Sequence, residues 1–278
     1  MNEHIRFGSH QFSPKWDKTN TLYERTEKDG GKTMISRKHP ELQQLYYNQT
    51  TLSILELCDG ASTVEEITHK LTRKYYGVQY DELLDDVIST IHMLWRLGFI
   101  IWNGDNPFLS IYGKANGEYY YSMLNEDQAV AWMEHNRPCY FNPMNIEESN
   151  YTETAIKQNS FSFYETFFQL KKHDKELITI SLVIPIGKEC FFKIGILNYD
   201  IAEENIEEVI DFLKWACEKH KQFFSLSANV ESVLCYVHPS DIIHIHFLET
   251  YFKAESVGVL HKELQDNSDL EIYQCVIK

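Results

Sequence analysis

Three side chains of this 278-residue chain, Glu189, His244 and His246, have the type and setting to move a proton near neutral pH. An imidazole titrates close to neutrality and a carboxylate can be tuned towards it, so each is a candidate general base. His244 and His246 alternate with Ile243 and Ile245, and Glu189 follows the turn residues Ile186-Gly187-Lys188. The same placement also suits two imidazoles on the exposed face of a short element and a solvated carboxylate beside a turn. Nucleophilic and metal chemistry have less support, because the chain has no G-x-S-x-G, H-E-x-x-H or Walker loop. Its six cysteines, Cys58, Cys139, Cys190, Cys217, Cys235 and Cys275, include no C-x-x-C pair. That scatter argues against a zinc or iron–sulfur site and for reduced thiols, so a cytoplasmic protein without metal is expected.

The elements that must position these groups are readable from periodicity. Asn125-Glu126-Asp127-Gln128 opens a helix carrying Ala129, Val130, Trp132 and Met133 and ending near Arg137-Pro138. Glu176 to Pro185 and Glu189 to Tyr199 read as a buried hairpin, and Glu203 to Lys221 as an amphipathic helix with Ile206, Val209, Ile210 and Leu213 inward. A strand at Val230 to Val237, a short helix at Ile243 to Tyr251 and closing strands at Val257 to Leu264 and Leu270 to Ile277 complete the order β-β-α-β-α-β-β. This is an α/β arrangement with a mixed sheet and flanking helices. The aromatic runs Tyr119-Tyr120-Tyr121 and Phe161 to Phe168 read as core strands, with the lining of an acyl tunnel as the alternative.

Upstream, a second module is dense in boundary signals. Thr21 to Thr26 and Lys32 to Arg37 flank Lys28-Asp29-Gly30-Gly31, a tight hairpin turn, and Leu42 to Tyr47 reads as a third strand. Asn48 or a following Thr caps a helix from Leu52 to Cys58, Thr63 and Glu66 form a capping-box pattern for a second, and a third runs from about Tyr80 to Leu97 before Gly98. A strand at Phe99 to Trp102 closes the module. A three-stranded antiparallel sheet with three helices reads as a winged helix-turn-helix.

Such modules often bind DNA, but residues 1–103 carry 12 Lys plus Arg against 14 Asp plus Glu. The third helix, which would read the groove, opens on Asp81, Glu82, Asp85 and Asp86, so phosphate would be repelled and no nucleic acid is expected. That helix has two apolar stripes, one of Leu83, Val87, Leu94 and Leu97 and one of Leu84, Ile88, Ile91 and Trp95. Either a neighbouring domain covers the second stripe, or the stripe walls a groove in which an extended peptide adds a strand to the sheet edge.

The organisation expected is a two-domain α+β and α/β chain: an arm at 1–20, the winged helix at 21–103, a linker at 104–107 and a second domain at 108–278. The net charge of −15 falls mostly after residue 103, where 14 cations stand against 27 carboxylates. No apolar run reaches the roughly 18 residues of a membrane span, so a soluble protein is expected.

Leu57-Cys58-Asp59-Gly60, Thr63-Val64-Glu65-Glu66-Ile67, Asp86-Val87 and Leu97-Gly98-Phe99-Ile100 together resemble the PqqD family of peptide-modification chaperones, over about residues 20–102. The resemblance implies an element that recognises the leader segment of a ribosomally made, post-translationally modified peptide. Carried over by position, Leu42, Gln43, Gln44, Leu45, Tyr46 and Tyr47 form the strand that receives the leader, and Leu84, Ile88, Ile91 and Trp95 form the facing wall. The implied partners are the precursor peptide and another peptide-modifying enzyme.

In the second domain, the element order, Phe247 to Lys253, and Gly258-Val259-Leu260 ahead of Glu271-Ile272-Tyr273 resemble the GNAT acyltransferases, especially the RimJ/RimL-like branch. The resemblance implies acetyl-CoA or a long-chain acyl-CoA as donor. The family's glycine-rich loop for the coenzyme pyrophosphate is replaced by Tyr199 to Glu208, which has no glycine and five carboxylates and would repel it. Leu248 stands where the family often has a general-acid tyrosine, leaving Tyr251 as the substitute. Two expectations follow: an enzyme that acylates the core peptide, or a GNAT-like scaffold that delivers the precursor to a separate enzyme.

Overall fold

Gly30, at φ +82°, turns the chain between β2 (Thr21–Thr26) and β3 (Lys32–Ser36), a conformation that glycine adopts without steric cost. The computed structural model describes residues 12–42, 45–75, 77–145, 151–184, 191–201, 205–224, 230–262 and 268–277, and it divides into units at 1–112 and 113–278. The first unit holds β1 (Pro14–Trp16), β2, β3, β4 (Leu45–Tyr47), α1 (Gln49–Leu57), α2 (Val64–Thr72), α3 (Tyr80–Arg96) and β5 (Ile100–Trp102). β2, β3 and β4 form an antiparallel sheet in that order.

The predicted boundary signals act as expected. Asn48 Oδ1 accepts from the Thr51 amide at 2.9 Å, and Thr63 and Glu66 complete a reciprocal capping box on α2. Gly98, at φ +77°, ends α3, while the Asn20 amide and the Ser36 hydroxyl donate to the Leu97 carbonyl at 2.9 and 2.6 Å.

Three features differ from expectation. The third strand spans only Leu45–Tyr47; Leu42 is buried in the turn before it, and Gln43 and Gln44 lie outside the described residues. The closing strand β5, outside the expected three-stranded sheet, pairs with β1, so residues of the predicted arm supply the partners its backbone needs. Trp95, at the end of the second stripe of α3, is covered from within the unit. Phe108, on the turn Pro107–Ile111, lies 4.7 Å from the His92 ring, 5.6 Å from Trp95 and 5.4 Å from Trp102, and the Tyr112 hydroxyl meets His92 Nε2 at 2.9 Å.

The second unit runs β6 (Gly113–Asn116), β7 (Tyr119–Met123), α4 (Glu126–His135), β8 (Tyr140–Phe141), α5 (Glu153–Phe161), β9 (Glu165–Lys172), β10 (Lys175–Val183), β11 (Phe191–Tyr199), α6 (Ile206–Phe224), β12 (Ser232–Val237), α7 (Ile242–Tyr251), β13 (Glu255–Leu260) and β14 (Leu270–Val276). One mixed sheet has the order β13-β14-β12-β11-β10-β9-β7-β6, with β8 attached to β11. Among the described strands, only β11 and β12 pair in parallel, because α6 carries the chain back between them.

Phe167 and Phe168 are neighbours in β9 and so point to opposite faces. Phe167 joins Ala129, Trp132 and Ile156 of α4 and α5, whereas Phe168 meets Trp215 of α6 at 5.9 Å. Tyr121 is likewise buried against Phe212 and Trp215, at 5.6 and 5.5 Å. These aromatics are core, not the lining of a tunnel. No described helix is long and apolar enough to cross a membrane.

Candidate functional site

The parallel pair β11 and β12 is joined only from Phe191 and Ser232 to Lys193 and Leu234. Beyond that point β11 bulges, its Ile194 and Leu197 facing Leu182 and Ile180 of β10, and a wedge opens towards the C-terminal ends of the two strands. Because β10 holds one edge of β11, β8 enters on the other, pairing Phe141 with Ile196 and Tyr140 with Leu197. Asn142 closes the wedge with its backbone amide on the Gly195 carbonyl at 2.8 Å and its side-chain amide on the Ile194 carbonyl at 3.0 Å. The Tyr140 hydroxyl reaches across to the Tyr236 carbonyl of β12 at 2.7 Å.

The acid–base groups gather where these strands end. Asp241 caps α7, and its Oδ2 lies 2.6 Å from His244 Nδ1. With Nδ1 donating to the carboxylate, Nε2 holds the lone pair; it is buried without a hydrogen-bond partner among the described residues. Tyr140 and Tyr199 face the imidazole at 5.6 and 6.0 Å, and Tyr199 stacks on Phe247 at 3.8 Å. Burial pushes the Tyr199 phenol up to about 12, so it remains a proton donor at neutral pH.

Tyr251 enters this cluster through its own stack on Phe247 at 4.9 Å, and it is buried. His246 does not; it is exposed, on another face of α7. A period of two in the sequence becomes a rotation of about 200° on a helix, so the two histidines cannot share a face. Positions 244, 247, 248 and 251 do share one. Glu189 lies outside the described residues.

A second titratable group was not legible in the sequence. Glu165 of β9 is buried, accepts from the Tyr151 hydroxyl at 3.2 Å and from Ser181 Oγ, and has its pKa raised by that burial. The start of α6 is also engaged. Glu208 Oε1 accepts from Tyr121 and from the Asn116 amide, and Asn205 accepts from the Tyr119 hydroxyl at 2.7 Å. The hairpin β6–β7 therefore holds the start of α6.

In the first unit, β4 is an outer strand of its sheet, as is β2. Tyr46 is exposed and its hydroxyl donates to Asp29 Oδ2 at 2.6 Å, which fastens β4 to the β2–β3 turn. Leu84, Ile88 and Ile91 are buried, and Trp95 is half-buried beneath Phe108 and Tyr112.

No curated protein matches the chain. Among solved structures, it is similar to a ribosomal-protein-S5-alanine acetyltransferase from Vibrio fischeri (13% identity, TM-score 0.40, covering 60% of this chain and 97% of that one). It is also similar to spermidine N-acetyltransferase SpeG from Vibrio cholerae (14%, TM-score 0.39, 58% and 95%) and to Mycobacterium smegmatis RimJ in complex with CoA-disulfide (13%, TM-score 0.37, 57% and 81%). Residues 43–100, from just before β4 to the start of β5, match the family model described as coenzyme PQQ synthesis protein D, so the first unit contains a PqqD-like element.

Proposed function

We propose that this chain acts in the maturation of a ribosomally made peptide. The first unit, a winged-helix PqqD-like element, holds the leader of the precursor as a strand added to β4, and the GNAT-like second unit acylates an amine of the core peptide from an acyl-CoA. The match of residues 43–100 to the PqqD model carries the leader-binding half of this reading, and the outer position of β4 supplies the backbone groups for it. For acylation, His244 Nε2 accepts the proton of the attacking amine, Asp241 holds the ring in the necessary tautomer, and the Tyr199 phenol beside it is available as a donor.

A second reading has its own support. Asn205 and Glu208 are engaged by the β6–β7 hairpin, and Asn142 takes the β11 carbonyls that a ligand in the wedge would use. On that reading the second unit is a docking scaffold that presents the precursor to a separate modifying enzyme. Calorimetric titration of the full chain with acetyl-CoA and with a long-chain acyl-CoA separates the two. Saturable heat with either, and an acylation rate reduced about 100-fold or more by His244→Gln, is the result for an enzyme. Absence of heat with both removes acyl transfer and leaves the scaffold.

A further inference from the structure

Neither reading uses the cleft between the end of α4, β8 and the start of α5. It encloses about 330 Å³ and is lined by Met133, Asn136, Arg137, Pro138, Phe141 and Tyr151. That volume lies at the lower end of the range of about 300–1,000 Å³ typical of small-molecule sites.

Its walls are mostly apolar and fixed. The Phe141 and Tyr151 rings meet at 5.5 Å with an interplanar angle of 61°, yet Phe141 remains 39% exposed. The Tyr151 hydroxyl is turned inward onto Glu165, and the Asn136 amide donates to the Trp132 carbonyl at 2.9 Å. Among the described lining residues, Arg137 is the one cation. It is exposed and has no ion-pair partner among the described residues, although residues 104–278 carry 27 carboxylates against 14 cations. An unpaired guanidinium on so acidic a surface, at the rim of an aromatic cleft, offers a planar fork to a carboxylate and a face to an apolar body.

We propose that this cleft binds a carboxylate carried on an apolar or aromatic body, with Arg137 taking the carboxylate and Met133, Phe141 and Tyr151 the body. Such a group is presented both by the C-terminal residue of a peptide and by a free organic acid. The site is independent of leader binding and of acyl transfer, and its failure would leave both readings of the function untouched.

The test is calorimetry on the full chain with N-acetyl-phenylalanine, its C-terminal amide and 3-phenylpropionate. Binding of N-acetyl-phenylalanine about tenfold or more tighter than its amide is expected, with Arg137→Gln removing the preference and leaving the melting temperature unchanged. Phe141→Ala should weaken every ligand that binds. Equal affinity for 3-phenylpropionate makes a free acid a sufficient ligand, whereas preference for the acylated amino acid points to a peptide terminus. Equal affinities for acid and amide, no saturable binding at millimolar ligand, or an unaltered affinity in Arg137→Gln would each overturn the proposal.

Discussion

The carboxylate of Glu165 occupies the space that a side chain on Gly195 would need. A Cβ built at Gly195 collides with Glu165 Oε1 and Ser181 Oγ, and the Ser181 hydroxyl also receives the Ile196 amide at 2.8 Å. Glycine is required here by close approach rather than by backbone angle, at the bulge where the wedge opens. Gly195→Ala should therefore cost about 1–3 kcal/mol of stability, read as a lower urea midpoint with an unchanged slope. An unaltered midpoint would show that Glu165 is free to move aside.

Asn142 makes the wedge a built feature rather than an accident of packing. Its buried side-chain amide donates to Ile194, and its Oδ1 accepts the Met144 amide at 2.9 Å. Asn142→Ala leaves a buried carbonyl and a backbone amide without these partners, and a loss of about 1–3 kcal/mol is expected in the same denaturation measurement. Faster amide exchange at Ile194 to Leu197 in the variant would place the damage at the wedge.

His220 of α6 is fully enclosed, with Phe192 at 4.8 Å and Phe168 at 6.2 Å, and neither ring nitrogen has a hydrogen-bond partner among the described residues. Burial lowers its pKa to about 3, below the ordinary value near 6.5. The unfolded chain therefore takes up the proton first. Stability is unaffected above about pH 6.5 and declines as the pH falls towards 3, by up to about 1.4 kcal/mol per pH unit from this group. His220→Leu should be close to neutral at pH 7 and more resistant than the parent at pH 4–5, measured by thermal unfolding across that range. Parallel pH curves for the two proteins would exclude His220 as a source of the acid sensitivity.

Thr63 contributes half of a reciprocal cap, its Oγ1 accepting the Glu66 amide at 3.2 Å while Glu66 Oε2 accepts the Thr63 amide at 2.9 Å. Thr63→Ala should lower stability by about 1 kcal/mol, and Glu66→Ala in the same background should add less than it does alone, because the two bonds form one unit. Strictly additive losses in the double-mutant cycle would contradict that coupling.

The helices and most strands were legible because their signals are local. Asn48, the Thr63–Glu66 pair and Gly98 each act within one turn of where they stand, so their effect is set by neighbours in sequence. The wedge was not legible. β8 is two residues long, too short for any periodicity, and its partners Ile196 and Leu197 are more than fifty positions away. The pairing of β1 with β5 was hidden for the same reason. For the candidate site, His244 and Tyr251 were visible by residue type, but the partnership of His244 with Asp241 depended on reading a helix cap, and the alternation with isoleucines pointed to the wrong period. Glu165 gave no signal, since a lone glutamate at the head of an apolar strand looks solvated until the fold buries it. On α3 the ring that lies against Trp95 of the second apolar stripe, Phe108, came from the segment expected to start the next domain.

Leader binding on β4 is the centre of the account, and hydrogen–deuterium exchange tests it most directly. The full chain would be incubated with a synthetic leader from a short peptide gene adjoining its own, and exchange compared with and without the peptide. Saturable slowing of amide exchange over Leu45–Tyr47 is the predicted result, because an added strand pairs with the free backbone groups of that edge. Protection at Thr21–Thr26 on the opposite edge instead, or unchanged exchange throughout residues 12–112 at saturating peptide, would contradict it.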